Sequence, residues 1–186
     1  MDLMQRRREL MMMGGEMKSY EVSNLTFDGS SSVVTPIKLF DYDKDFRIEC
    51  EISEPQLQSG SVYDYIFAFW CGVNFKEIST SHSHLGLAQR YSSHSSWYWI
   101  DLRWAPRETP SDIGYSATSY AGLNFRKVVA TKQGRVLSAT FYDLNGNTLV
   151  STTKNMTDAL YPNDQYLTLG ANGWIGQIVY IKVEIL

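Results

Sequence analysis

The chain has 186 residues, which suits one domain, and 44% of them are hydrophobic, so it can bury a substantial core. A formal charge of -3 gives no reason to expect nucleic acid as the main partner, and no segment reaches the roughly 18 apolar residues of a membrane span. The apolar stretch LMMM that follows three arginines is too short for a secretory signal core. We therefore expect neither nucleic-acid nor membrane binding.

The pattern beyond residue 18 is that of β-strands. In SYEVSNLTF, Tyr20 and Val22 share one face, and Leu25 with Phe27 join it after a shift. DGSSS turns the chain, and SVVTPIKLF follows as a second extended piece. FRIECEISE alternates most clearly, with Phe46, Ile48, Cys50 and Ile52 on its apolar face.

Further strands follow along the chain. The continuous apolar run YDYIFAFWCGV is typical of a central strand that is covered on both faces. Strands also fit HLGLAQRY, SWYWIDLRW, GYSATSYAG, NFRKVVATK, RVLSATFYD, NTLVSTTK and IGQIVYIKVEIL. In the last of these, we expect Val179, Ile181, Val183 and Ile185 to face one way. MTDALYP fits one short helical turn that ends at Pro162.

Turn residues separate the strands. KQGR and DLNGN are the sharpest turns, and Asn145-Gly146 predicts a two-residue hairpin because both residues adopt positive φ at low cost. Many short strands at spacings of about 8–12 residues indicate an all-β antiparallel sandwich. We therefore predict an N-terminal arm over residues 1–18, helical or extended, and a sandwich domain over residues 19–186.

Three segments together resemble a known superfamily. They are LTFDGSSSVVTPIKLFDYDKDFRIECEI, NFRKVVATKQGRVLSATFYDLNGNTLVSTT and YLTLGANGWIGQIVYIKVEIL, and they resemble the laminin-G-like and concanavalin A-like lectin/glucanase jelly rolls in order and spacing. The resemblance covers roughly residues 20–186 and implies a jelly-roll sandwich. A short RRR-x-LM segment ahead of such a domain resembles small virion proteins of tailed phages. A fold of this class does not determine a function.

Whether the chain is a glycoside hydrolase depends on paired carboxylates, because glycoside hydrolysis usually needs two carboxyl groups about 5–10 Å apart. The glucanases that this chain resembles carry a Glu-x-Asp-x-Glu pattern on one strand, which is missing here. The nearest approaches are Glu49 with Glu51, which fit a solvated strand face beside Arg47, and the lone Asp101. The sequence has no Gly-x-Ser-x-Gly elbow, and its pattern supports no Cys–His pair. We therefore expect no enzyme and no catalytic residues.

Two groups of residues are candidates for a metal site. His82, His84 and His94 lie in a Ser-rich stretch, and a trimer could bring three copies of one histidine together, but surface histidines are the default. For calcium, the candidates are Asp41, Asp43 and Asp45 in FDYDKDF, and Asp143, Asn145 and Asn147 in DLNGN. Neither string is an EF-hand, so a charged turn and a hairpin tip are the favoured interpretations. We expect no cofactor, with calcium as the alternative.

The two cysteines do not form a disulfide scaffold. Cys50 lies on the apolar face of its strand, and Cys71 closes an apolar run. Two buried thiols are favoured, and a Cys50–Cys71 disulfide is the alternative.

The richest aromatic stretch is SSWYWIDLRW. Tyr98, Ile100 and Leu102 form the natural core side, which leaves Trp97, Trp99, Asp101 and Arg103 on the opposite face. Aromatic rings beside a carboxylate and a guanidinium suit a glycan, and Trp104 is a further candidate. The same composition suits a subunit interface or a second packed face, and all three interpretations stay open.

The N-terminal arm is the remaining candidate for partner binding. Read as a helix, it places Leu3, Arg7, Leu10 and Met11 along one side with Met4 nearby, and Gly14-Gly15 could serve as a hinge. The candidate docking residues are Leu3, Met4, Arg6, Arg7, Arg8, Leu10 and Met11. A docking peptide, an oligomerisation handle and a free tail are the three alternatives.

The resemblance to phage virion proteins, together with the missing catalytic pattern, predicts a non-enzymatic virion protein on the surface of a phage particle, such as a head or tail decoration or a fibre module. Its partners would be other virion proteins through residues 1–18 and further copies of itself, in a homo-oligomer such as a trimer. The alternatives are an adhesin for host surface glycans and, less favoured, a glycoside hydrolase.

Overall fold

The structure, a computed structural model, describes residues 12–13, 16–40, 44–53, 66–71, 84–92, 97–105, 115–116, 125–155, 165–171 and 173–186. In these ranges every regular element is a β-strand. The strands are β1 (Met12–Met13), β2 (Glu16–Met17), β3 (Ser19–Asp28), β4 (Val33–Lys38), β5 (Phe46–Ile52), β6 (Ile66–Cys71), β7 (His84–Ser92), β8 (Trp97–Ala105), β9 (Tyr115–Ser116), β10 (Phe125–Gln133), β11 (Val136–Asp143), β12 (Thr148–Asn155), β13 (Tyr166–Ala171) and β14 (Ile175–Ile185).

The strands form two six-stranded sheets and one small ribbon. The first sheet has the order β12-β11-β10-β5-β14-β3, and the second has the order β4-β13-β6-β7-β8-β9. Every pairing in both sheets is antiparallel. The ribbon pairs β1 with β2, so that Met13 lies opposite Glu16. The predicted all-β antiparallel sandwich is confirmed.

One hydrophobic core joins the two sheets. The first sheet contributes Ile48, Phe141 and Val183, and the second contributes Phe69 and Leu85, all fully buried. β5 shows the predicted alternation, because its apolar residues are buried and its charged residues are half-buried. The face that each strand turns to the core therefore follows directly from its sequence period.

β3 and β14 change the face they turn to the core at the same level. Asn24 in β3 has a φ of 58°. The register of β3 against β14 stays regular at this level, since Ile178 pairs with Leu25 and Tyr180 pairs with Ser23. The register of β14 against β5 shifts between Ile178 and Tyr180. The shift predicted in β3 is confirmed, because Phe27 is buried.

The predicted inner face of β14 was partly wrong. Ile178 and Ile181 are both buried, whereas Val179 is only half-buried. The reason is the bulge at Val179, because one extra residue reverses the alternation of a strand. Val183 is buried as predicted.

The two sharpest hairpins differ in their turns. Gln133 pairs with Val136 around Gly134, whose φ of 53° suits the first central position of a type II′ turn. In DLNGN, Gly146 has a φ of 82°, its N–H donates to the Asp143 carbonyl, and the Asp143 N–H donates to the Asn147 carbonyl. The loop therefore has three residues and one left-handed position, so the predicted two-residue hairpin was wrong.

The N-terminal side of the sandwich begins within β2 and β3. Met17 packs against the core, and the Lys18 carbonyl accepts a hydrogen bond from the Ile185 N–H. Residues 1–11, which include every candidate docking residue, and residues 14–15 lie outside the described ranges. So does MTDALYP, and the division at residue 18 stays a prediction. The described ranges contain no helix that is long and apolar enough to cross a membrane.

Both cysteines are free thiols in the core. Cys50 is fully buried, and the Cys71 Sγ donates to the Gln165 carbonyl at 3.4 Å. Burial raises the pKa of both thiols, that of Cys71 to about 12. The favoured interpretation of two buried thiols is confirmed, and neither thiol has the lowered pKa of a nucleophile.

Candidate functional site

The register of the second sheet separates its core face from its outer face. Directly opposed residues of an antiparallel pair lie on the same face of a sheet. Leu85 and Leu87 belong to the core, and they pair with Trp104 and Leu102 of β8. The alternate positions of β8 therefore lie on the outer face.

Four predicted glycan-binding residues share this outer face by register. Arg103 pairs with Gly86, Asp101 pairs with Ala88, and Trp97 and Trp99 continue the same alternation along β8. Trp104 occupies a core-face position instead, opposite Leu85. The backbone thus groups Trp97, Trp99, Asp101 and Arg103 and sets Trp104 apart from them.

Trp70 lies on the same outer face, in the middle of the sheet. It pairs with Gly86 on one side and Thr168 on the other, and it is only 3% exposed although it lies outside the core cluster. β6 is therefore buried on both faces, as its continuous apolar run predicted. The outer face is closed at its centre, so exposed contact surface must lie towards its edges.

The β4–β13 edge of this face is exposed. Val34 is 63% exposed and Tyr166 is 47% exposed, and the Lys38 Nζ lies 4.9 Å from the centre of the Tyr166 ring. Pro36 is exposed and Thr168 half-exposed beside them, while Thr35 and Ile37 turn inward. We call these outer residues the edge patch: Val34, Pro36, Lys38, Tyr166 and Thr168.

Sequence reasoning missed the edge patch. Tyr166 pairs with Lys38, and Thr168 pairs with Val34, across more than a hundred residues of intervening chain. The second valine in VVTPIK and the tyrosine in YLTLG carry no local signal of this proximity. Only the pairing of β4 with β13 brings them together.

The carboxylates of β5 form ion pairs on the outer face of the first sheet. Glu49 accepts from Lys127 at 3.1 Å and from Arg47 at 3.3 Å, and Glu51 accepts from Arg126 at 2.7 Å. Burial alone would raise the pKa of Glu49, but the hydrogen bonds and charges of Lys127 and Arg47 outweigh it and lower that pKa. A lowered pKa suits an ion-pair network and not a general acid.

Among the calcium candidates, the carboxylates of Asp45 and Asp143 accept hydrogen bonds from their own chain. Asp45 Oδ1 accepts hydrogen bonds from the Lys132 ammonium and the Gly134 N–H, and residues 41–43 lie outside the described ranges. Asp143 Oδ1 accepts from the N–H groups of Asn145 and Asn147. The hydrogen bond from the Asn147 side chain is the main reason that the pKa of Asp143 lies below its ordinary value. Hydrogen bonds of this kind are typical of turns.

The histidine alternative has little described structure behind it. His84 begins β7, and residues 81–83 and 93–96 lie outside the described ranges. Within the part of the chain that the structure describes, no three His, Cys, Asp or Glu side chains gather as a metal site would require. The interpretation of the three histidines as ordinary surface residues stays a prediction.

No family model matches the sequence, and no curated protein matches it. Solved structures share the fold. The enzymatically active domain of tailspike protein 2 from bacteriophage CBA120 superimposes with a TM-score of 0.55 and 11% identity, over 89% of this chain and 26% of that chain. The full-length tailspike protein 2 of Escherichia coli O157:H7 bacteriophage CAB120 gives a TM-score of 0.55 and 13% identity, over 89% of this chain and 23% of that chain.

This chain thus spans about a quarter of either tailspike chain. A looser overlap, with a TM-score of 0.44 and 12% identity, covers 89% of this chain and 76% of the CBM2 module of Dit from Lactobacillus casei BL23 phage J-1. At these identities the likeness concerns the fold alone. The chain is a β-sandwich that is distantly similar in structure to a phage tailspike.

Proposed function

We propose that this protein is a non-enzymatic virion component that displays its sandwich on a phage tail or particle surface and binds host surface glycans. The observation that carries the proposal is the register of β8, which groups Trp97, Trp99, Asp101 and Arg103 on the outer face of the second sheet. The fold shared with phage tailspikes supports the virion setting. The ion pairs of Glu49 and Glu51 favour a role without catalysis.

The chemistry of the β8 positions suits a sugar. Indole rings offer flat apolar surfaces for the C–H faces of a pyranose, and a carboxylate with a guanidinium binds hydroxyl groups in two directions. Binding of this kind needs no movement of the strand, because alternate residues of β8 already lie on one face. Asp101 is the one carboxylate of β8, whereas glycoside hydrolysis usually needs two, so glycan binding is favoured over catalysis for this segment.

The double substitution Trp97→Ala/Trp99→Ala should weaken glycan binding at least about tenfold, which corresponds to roughly 1.4 kcal/mol. Glycan arrays followed by calorimetry on the full chain would measure the change. Tyr142→Ala, on the outer face of the first sheet, is the matched aromatic control. Unchanged affinity in the double variant would remove the β8 site.

A substitution at Trp104 tests how the residues of β8 divide between the core face and the outer face. Because Trp104 occupies a core-face position, Trp104→Ala should lower the unfolding temperature while the affinity of the folded fraction stays near the native value. Loss of affinity without loss of stability would instead return Trp104 to the glycan-binding group.

Attachment to the particle is proposed to depend on the N-terminal arm. The test uses virions that lack this protein and the full chain with Arg6→Ala, Arg7→Ala and Arg8→Ala. This variant should co-sediment with the virions far less than the native chain does, because the arginines suit an acidic partner surface. Light scattering on both chains would show whether self-assembly changes as well. Equal co-sedimentation would argue against docking through the arm.

A further inference from the structure

We propose that the edge patch binds an acidic sugar unit, so that the ligand of this protein is an anionic polysaccharide such as one containing uronic acids. This inference rests on the proposed glycan-binding function and names the class of glycan. It is carried by Lys38 and Tyr166, which meet at an exposed edge of the second sheet.

The charge of Lys38 has no carboxylate partner within the described ranges. Its recorded contact is the ring of Tyr166, 4.9 Å away. The first sheet holds a comparable pair, in which the Lys127 Nζ lies 5.0 Å from the centre of the Tyr142 ring, but there Glu49 binds the same ammonium at 3.1 Å. Lys127 is thus neutralised within the protein, whereas the ammonium of Lys38 meets no carboxylate in the described part of the chain and can bind an external one.

The surroundings of Lys38 suit a sugar ring with one charged substituent. Tyr166 is half-exposed, and Val34 and Pro36 supply exposed apolar surface beside it. An aromatic ring and aliphatic groups can cover the C–H face of a pyranose, while the ammonium binds its carboxylate in a charge-assisted hydrogen bond. A neutral sugar would use only the first of these contacts.

Pro36 also disfavours a protein strand as the occupant of this edge. β4 is an end strand of the second sheet in the described structure, and proline has no N–H to offer an added strand. A ligand would therefore meet the face of the patch and not its backbone edge. This argues for a small ring or a polysaccharide chain over a peptide that extends the sheet.

The edge patch and the β8 positions belong to the same face. Thr168 pairs with both Val34 and Trp70, and Trp70 pairs with Gly86, which pairs with Arg103. Four strand spacings separate β4 from β8, or about 19 Å at the usual distance between strands. Two contact regions that flank the buried Trp70 suit a chain of several sugars better than a single one.

The test is affinity of the full chain for polygalacturonate and for its fully methyl-esterified form, which keeps the sugar backbone and loses the charge. Native protein should bind the acid form at least about tenfold more tightly, and the preference should shrink as salt screens the charges. Lys38→Gln should remove the preference, and Lys38→Arg should retain it. Tyr166→Ala should weaken binding of both forms, and Tyr166→Phe should not.

Matched variants separate this inference from the proposed function. Lys127→Gln and Tyr142→Ala alter the comparable pair on the first sheet and should leave both affinities unchanged. Equal binding of the two polymers by native protein, or a preference that survives Lys38→Gln, would overturn the acidic class while glycan binding at β8 stands. If the native chain binds neither polymer and no neutral glycan, both proposals fail together. Thermal unfolding of each variant confirms that it is folded.

Discussion

Replacing Gly170 by alanine should lower the free energy of unfolding by about 3 kcal/mol, because overpacking costs about 1–3 kcal/mol and a left-handed backbone about 1–2 kcal/mol. Gly170 lies in β13 with a φ of 66°. A Cβ atom there would lie 2.1 Å from Cδ1 and 2.4 Å from Cε1 of Phe27. Phe27 cannot easily move, since it is 3% exposed and packs against Trp174 with ring centres 5.6 Å apart.

Chemical denaturation of three variants separates the two causes. Gly134→Ala and Gly146→Ala also place a side chain at positive φ, but nothing lies within 4 Å of their Cβ positions, so each should cost only about 1 kcal/mol. Adding Phe27→Leu to Gly170→Ala should recover part of the loss, because the ring atoms that meet the new methyl group are removed. A Gly170→Ala variant as stable as Gly134→Ala would contradict the steric explanation.

Substituting Asp45 by alanine should be the next most damaging change, at about 3 kcal/mol, because it removes the carboxylate from a buried ammonium. The Lys132 side chain is fully buried, and its Nζ donates to Asp45 Oδ1 at 3.3 Å and to the Lys44 carbonyl at 3.0 Å. The same Asp45 oxygen accepts the Gly134 N–H at 2.7 Å, so the hairpin between β10 and β11 loses a contact as well.

A double-mutant cycle gives the sharper form of this prediction. Lys132→Met keeps the length of the side chain and removes its charge, so it should cost less than Asp45→Ala. The double variant should be no less stable than Asp45→Ala alone, since it leaves no buried ammonium that has lost the Asp45 carboxylate. If the two losses simply add in urea unfolding, the two residues are not coupled and the ion pair does not stabilise this corner of the sandwich.

Most of the fold could be predicted from local pattern. The alternation of FRIECEI named the buried face of β5, and the unbroken apolar run around Phe69 and Trp70 identified a strand buried on both faces. These predictions succeeded because a strand with one or two covered faces shows its burial in the sequence itself.

Local pattern failed where a single residue changed the backbone. Asn145-Gly146 tolerates a two-residue turn, but the Asp143 carboxylate binds the N–H groups of Asn145 and Asn147, which favours the longer loop. Likewise, the sequence of β14 predicts an even alternation, but the bulge at Val179 reverses it. The first outcome depends on side-chain hydrogen bonds that compete with regular pairing, and the second on one extra residue in β14 relative to β5.

Lys132 shows the same limit in the core. In ATKQG it resembles an ordinary solvent-exposed lysine before a turn, yet its side chain is fully buried. The acceptors that make this burial tolerable belong to Lys44 and Asp45, which lie directly before β5. Their proximity depends on the pairing of β10 with β5.

The sequence by itself determined the strand content, the antiparallel sandwich and the grouping of Trp97, Trp99, Asp101 and Arg103 on alternate positions of one strand, because a period of two is a local property. Only the tertiary structure decided that Trp104 pairs with Leu85 of the core, that Trp70 closes the centre of the outer face, and that Lys38 meets Tyr166 at the edge of that face. These facts depend on register between distant segments, which no local pattern encodes.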